Sequence, residues 1–324
     1  MKHRSFGRTG WQVSEIGYGA WQIGGTQWGP VREEQARAAL HATLEAGITF
    51  FDTALAYGWG RSEQLVGKVI REAGARDRVT IATKVPPKNR TWPARPDMPL
   101  REVFPASWIR ECAELSLRNL DVGPIDLLQL HVWTDAWADD PEWYDALASL
   151  REEGKIRAFG VSVTENDPSS ALRVTRSGKI DSIQVIYNVF DQTPEEALFP
   201  AAQENDVAVI VRVPLDEGSL AGTLRPDTTF PPDDFRAKYF TPERLPETVE
   251  RVERLRPLLE GPGQSMAQGA LRFCLSHPAV STVIVGSTNP EHVRDNAAAS
   301  DLGPLDAATR EALRAHAWPR NFYP

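Results

Sequence analysis

The stretch Phe50-Phe51-Asp52-Thr53-Ala54-Leu55-Ala56-Tyr57-Gly58-Trp59-Gly60-Arg61-Ser62-Glu63 runs an apolar segment into an acid and then a tyrosine. A buried strand that stops at a charged residue suits a site built on the end of a sheet, because the strand fixes the side chain while its tip reaches solvent. Seven more short apolar runs rich in Val and Ile share this character. With the first they cover 16–21, 47–52, 78–84, 125–131, 156–163, 181–187, 207–213 and 280–286. Most are apolar throughout rather than alternating, which marks parallel strands covered on both faces. Amphipathic stretches such as 33–46, 62–72, 107–120, 142–153, 195–205 and 265–277 supply the crossovers.

Eight such units in 324 residues predict an α/β fold, a closed (β/α)8 TIM barrel forming one domain over 1–324. An open doubly wound sheet fits less well, because the phosphate fingerprint GxGxxG is missing at the first turn and Gly17-Tyr18-Gly19 is too short a match. Phe6 to Val13 reads as an N-terminal hairpin capping the barrel floor, and Leu305 to His316 as an extra C-terminal helix. Two long connections, 86–105 and 216–262, read as loops of the kind that form lids.

A formal charge of −8, with 41% hydrophobic and 25% charged residues, describes a soluble globular chain and speaks against a nucleic-acid partner. No window approaches a membrane span, and no apolar segment follows the basic first residues, so a cytoplasmic address is expected. Cys112 and Cys274 read as two packed, reduced thiols rather than a metal site or redox pair.

Three of the strands end in chemistry: Asp52, Lys84 and His131. In a barrel those ends share one mouth, where Tyr57 joins them from the following loop. A free phenol titrates near pH 10 and is a poor acid or base at neutrality, but a lysine ammonium beside it favours the phenolate. Asp52 would hold Lys84 charged and aimed, and His131 would hydrogen-bond the carbonyl oxygen that Tyr57 protonates. The set suits reversible reduction of a carbonyl. Taken singly, each residue also reads as a surface aromatic, a satisfied histidine or a structural ion pair.

With these residues in place, the sequence resembles the aldo-keto reductase family, and the resemblance to its bacterial sugar-, inositol- and stress-type members covers nearly the whole chain. It is carried by Phe51-Asp52-Thr53-Ala54 with Tyr57-Gly58, Ser62-Glu63 and Gly67, and by Asp126-Leu127 with Gln129-Leu130-His131. Gly154-Lys155-Ile156-Arg157 with Gly160-Val161-Ser162, Gln184 with Tyr187-Asn188, and Pro214-Leu215 with Gly218 complete it. The resemblance implies an NAD(P)(H)-dependent oxidoreductase with a tetrad of Asp52, Tyr57, Lys84 and His131. Hydride would pass directly between a nicotinamide and an aldehyde, ketone or sugar-like hydroxyl, without a metal.

Lacking a Rossmann turn, a dinucleotide would be held by the loops after the last strands, and the segment 285–296 has Asn289 as an N-cap and Pro290 as the first helical residue. The resemblance assigns Ser287 and Thr288 to the adenosine phosphate region, Asn296 to adenine, and Ser162 and Gln184 to the nicotinamide amide. It runs Pro214, Leu215, Asp216, Gly218 and Leu220 along the pyrophosphate. Val163 replaces a frequent asparagine, and Arg212 stands where many members stack a tyrosine, a role a planar guanidinium can fill. Gly286 and His292 stand where some members use Lys and Arg on a 2′-phosphate. NADP(H) is favoured, with NAD(H) as the alternative. Trp21, Trp92 and Trp133 are expected at the substrate mouth, with Trp318, Phe322 and Tyr323 folding over it. Two other classes fit the same residues: a non-catalytic or slow redox-sensing regulatory subunit, since channel-associated proteins share this fold, and a Schiff-base aldolase using Lys84.

Overall fold

Runs of Val, Ile, Leu and Ala pair into a closed sheet in the computed structural model, which describes residues 1–323. The chain opens with a hairpin, β1 (His3–Ser5) and β2 (Gln12–Ser14). Eight parallel strands follow: β3 (Ile16–Gly19), β4 (Phe50–Asp52), β5 (Thr80–Val85), β6 (Ile125–Leu130), β7 (Ile156–Ser162), β8 (Ser182–Ile186), β9 (Ala208–Arg212) and β10 (Val280–Val285). They close in sequence order, β10 pairing with both β9 and β3. Each expected strand is present, and the hairpin caps the floor as expected, although Phe6 to Trp11 form its turn rather than its strands.

Inside the barrel, side chains alternate by twos. Phe50, Ala82, Leu127, Ala158, Ala208, Ile210 and Ile284 form an inner apolar cluster that Phe6 and Val13 of the hairpin close from below. Phe6 stacks on Phe50 with ring centroids 5.4 Å apart. Two residues further along the same inward faces come Asp52, Lys84, Gln129 and Arg212, so a polar layer lies directly on the apolar one.

The larger core lies between sheet and helices. Helix 61–72 crosses helix 106–120 so closely that a Cβ on Gly67 would sit 1.9 Å from the Leu120 carbonyl oxygen, which explains the glycine. Both cysteines are buried free thiols.

The connections correct the sequence reading. The segment 216–262 is not a loop: it contains helices Phe235–Tyr239 and Leu245–Leu259. Pro246 falls at the start of the second and Pro257 inside it. Pro246 sits where an N–H has no helical partner, and burial of Leu245, Val252, Leu255 and Leu259 outweighs the cost of Pro257. The segment 86–105 gains only one turn, Leu100–Val103. The crossover expected over 195–205 begins at Leu198 because Pro200 falls in its first turn, and a short helix, Leu172–Arg176, links β7 to β8. No described helix is long and apolar enough to cross a membrane.

Candidate active site

β4 ends at Asp52 and β5 carries Lys84 one residue before its end, so the two meet inside the rim. Lys84 is fully buried, and its ammonium donates to the Asp52 carboxylate, to the Thr53 carbonyl at 2.8 Å and to the Tyr57 hydroxyl at 3.3 Å. All three ammonium protons are thereby used, which fixes the long side chain. Asp52 also accepts from Gln184 at 2.8 Å and Gln129 at 3.3 Å. His131 lies just beyond β6, its ring 5.6 Å from that of Tyr57 and edge-on. The structure thus brings the four expected residues together.

Their electrostatics differ in one respect from the sequence reading. Burial pushes the Tyr57 phenol above its ordinary range, and the Lys84 charge opposes that rise without reversing it. Burial works against the Lys84 charge, but Asp52 and Tyr57 outweigh it and raise its pKa, so the amine stays protonated. Burial, reinforced by Lys84 and Arg212, drives His131 well below its usual range, leaving a neutral imidazole whose Nδ1 is buried without a partner.

Around Tyr57 the mouth is aromatic. Trp21 stacks on Tyr57 at 6.1 Å, and Trp92, partly exposed, meets His131 edge-on at 5.8 Å. Trp133 does not reach the mouth. It is fully buried, edge-on against Trp143 and Trp137. Trp28 and Phe235 pack on Trp21 instead, at 5.6 and 5.3 Å. Neither was expected, since both lie in segments that carry no strand-end signal. Of the tail, Tyr323 reaches Glu217 while Trp318 packs on Phe190.

The remaining candidates lie at the ends of the later strands. Ser162 is buried at the end of β7 beside Gln184, whose amide nitrogen is committed to Asp52. Arg212 donates to the Val163 carbonyl at 3.1 Å and to Glu165 at 3.3 Å, which gives Val163 a role its side chain did not suggest. Pro214 and Leu215 lead into a turn where the Asp216 carboxylate is buried under Arg320, Tyr239 and Ser219, so Asp216 has only its backbone to offer a ligand. Gly218 lies in that turn and Leu220 is fully buried.

Gly286 approaches β3 so closely that a Cβ would stand 2.5 Å from the Gly19 carbonyl oxygen, which excludes a longer side chain there without a backbone shift. The Ser287 carbonyl accepts from Tyr18 at 2.9 Å, and its hydroxyl accepts from the Asn289 N–H at 3.1 Å. Thr288 accepts from Gln35. Asn289 caps helix 290–302 through the Glu291 N–H, His292 is exposed on the first turn and Asn296 is buried.

Sequence reasoning missed the second ring of partners. Gln129 falls on the same strand face as His131, and the period of two would have found it. Glu217 has no such signal. Burial raises its carboxyl to about 7, and the hydroxyl of Tyr323 donates to it. The folded chain therefore holds this proton more tightly than the unfolded one, so the contribution to stability is full below the ordinary value of 4.5 and lost as pH rises through about 7. The difference is about 3 kcal/mol. Glu217→Gln should abolish it, melting about 4 °C above the parent at pH 8 but not at pH 4.5. Parallel melting curves for parent and variant across this range would show that Glu217 does not titrate there.

A hollow of 670 Å³ opens at the opposite end, bounded by Arg4, Asp206 and Val280, but it lies at the N-terminal ends of the strands, away from the tetrad. Among the described residues no group of three or more His, Cys, Asp or Glu could hold a metal ion.

Comparison with known proteins accords with this geometry. Residues 15–317 match the model of the aldo/keto reductase family. Aldo-keto reductase YhdN of Bacillus subtilis is 34% identical over 293 residues, spanning 90% of this chain and 86% of its own. The NADH-specific methylglyoxal reductase of Escherichia coli is 30% identical over 95% of this chain and 96% of its own. The solved structure of the glycerol dehydrogenase AKR11B4 from Gluconobacter oxydans superposes with a TM-score of 0.79 at 29% identity, covering 97% of this chain and 94% of that one. The chain belongs to the aldo/keto reductase family.

Proposed function

We propose that this oxidoreductase transfers hydride reversibly between NADP(H) and an aldehyde, ketone or sugar-like hydroxyl, with Tyr57 as the proton donor and acceptor. The observation that carries the reading is the buried Lys84 ammonium, bound at once to Asp52, Thr53 and Tyr57 at the barrel mouth. A bound nicotinamide supplies the hydride; the chain supplies the proton and the charge stabilisation. Tyr57 gives its proton to the carbonyl oxygen, and the neighbouring lysine charge stabilises the phenolate left behind. The neutral His131 donates a second hydrogen bond to the same oxygen, and its pKa, held down by burial, keeps it from competing as an acid. Asp52, held by Lys84, Gln184 and Gln129, orients the lysine.

The residues fit a dinucleotide. The Arg212 Nε is buried without a partner beside the tetrad, where a planar guanidinium can lie on the nicotinamide ring. The capped helix 290–302 presents Ser287, Thr288 and His292 at its N-terminal end, where phosphate is favoured. NADP(H) is preferred in this reading because His292 can face a 2′-phosphate; Gly286 offers no side chain for it. A Schiff-base role for Lys84 is disfavoured, since an attacking amine must be neutral and this one is held protonated.

Titration of the purified protein with NADPH and with NADH, followed by quenching of tryptophan fluorescence, tests the reading. Tighter binding of NADPH is expected. Tighter NADH binding would overturn the preference, and failure to bind either, in reduced or oxidised form, would overturn the redox assignment.

A further inference from the structure

Beyond β9 the chain turns through Asp216, Glu217 and Gly218 with φ of 48°, 53° and 101°. Two of these carry side chains in a region that favours glycine, so neighbouring structure must hold them there. Both carboxylates are buried, and a partner of each comes from the C-terminal tail. The Arg320 guanidinium donates to Asp216 at 2.6 Å, and the Tyr323 hydroxyl donates to Glu217 at 2.6 Å.

The tail is itself held. Arg320 lies over the Trp318 ring at 4.1 Å and that of Phe190 at 5.0 Å, and the Trp318 N–H donates to the Phe190 carbonyl at 2.7 Å. Arg244 donates to the Phe322 carbonyl at 3.1 Å. Tyr323 packs on Tyr239 at 5.2 Å and Phe235 at 5.7 Å, and Phe235 touches Trp21, the neighbour of Tyr57. A continuous wall thus runs from the tail to the tetrad.

We infer that residues 318–323 are a latch on the segment 214–220, with Arg320 and Tyr323 as positioning residues, so that cofactor entry and exit both wait on their release. The inference rests on the proposed reading that this segment runs along the cofactor's pyrophosphate. Every latch contact is made within the chain itself, by its side chains and by the Phe190 and Phe322 carbonyls. Its strength therefore enters the barrier to binding and the barrier to release alike, and cancels in the equilibrium constant.

The test is stopped-flow measurement of NADPH association and release on the full-length chain, with Tyr323→Phe and Arg320→Gln. Loss of a hydrogen bond to a carboxylate should raise both rates about tenfold or more while Kd stays within about twofold. Unchanged rates in both variants, or faster release alone with a matching loss of affinity, would overturn the latch. A parent chain that binds neither NADPH nor NADH overturns the cofactor reading instead, before any variant is made. Should Arg320→Gln not fold, hydrogen exchange of the parent chain decides: amides of 216–222 and 320–323 opening as one unit is the expected result. Tail amides exchanging freely while 216–222 stay protected would sink the proposal.

Discussion

Tyr57→Phe is expected to lower kcat about 10³-fold while leaving the Kd for cofactor almost unchanged. The substitution removes one oxygen atom, and the ring keeps its stacking on Trp21 and its contact with His131. What is lost is the hydroxyl that gives the proton, whose oxygen accepts from the Lys84 ammonium at 3.3 Å. His131 cannot replace it, because burial holds the imidazole neutral and it has no acidic proton to give near neutral pH. Steady-state rates with a reducible aldehyde and a parallel cofactor titration read the two quantities separately. Near-parental turnover would remove Tyr57 from the chemistry.

Lys84→Met should be as damaging to rate and far more damaging to stability. Lys84 and Asp52 are both buried, and removing one member of such a pair leaves the other uncompensated, at a cost of about 3–5 kcal/mol. Gln129 and Gln184 would still donate to Asp52, which limits the loss but cannot supply a charge. Asp52→Asn combined with Lys84→Met should recover much of the stability and none of the rate, separating the structural role of the pair from its chemical one. Losing the cation also removes what opposes the burial-driven rise of the Tyr57 pKa. In the oxidative direction, where Tyr57 must accept a proton, the rising limb of the pH profile should move to higher pH. An unshifted limb in a folded variant would mean that Lys84 does not tune Tyr57.

The fold was legible because most barrel strands are apolar throughout, one face on the helices and the other on the inner cluster, until a polar residue closes the run. Val79 to Val85 and Ile125 to His131 show both the apolar run and the polar residue that ends it. Asp52, Lys84 and His131 were visible for the same reason, and Tyr57 because it follows Asp52 within one turn of chain. Trp133 misled, since its position after a strand end looks the same in sequence whether the side chain opens to the mouth or is buried against Trp143. The helix Leu245–Leu259 was hidden by two prolines whose cost depends on where in a helix they fall. The sign of the Tyr57 shift was hidden too: the sequence names the lysine that lowers it but not the depth of burial that raises it. The pairing of Glu217 with Tyr323 joins residues that only the folded tail brings together.

The alternation inside the barrel separates the layer that packs from the layer that carries the proposed chemistry. Phe50, Ala82 and Leu127 lie below Asp52, Lys84 and Gln129, while Trp21, Trp28, Trp92 and Phe235 stand on connections outside the inner cluster. On the proposed reading, laboratory evolution can search substrate range by randomising those four aromatic positions alone. The inner cluster and the tetrad stay as they are, so a failed library member is expected to be a folded protein with the wrong pocket rather than an aggregate.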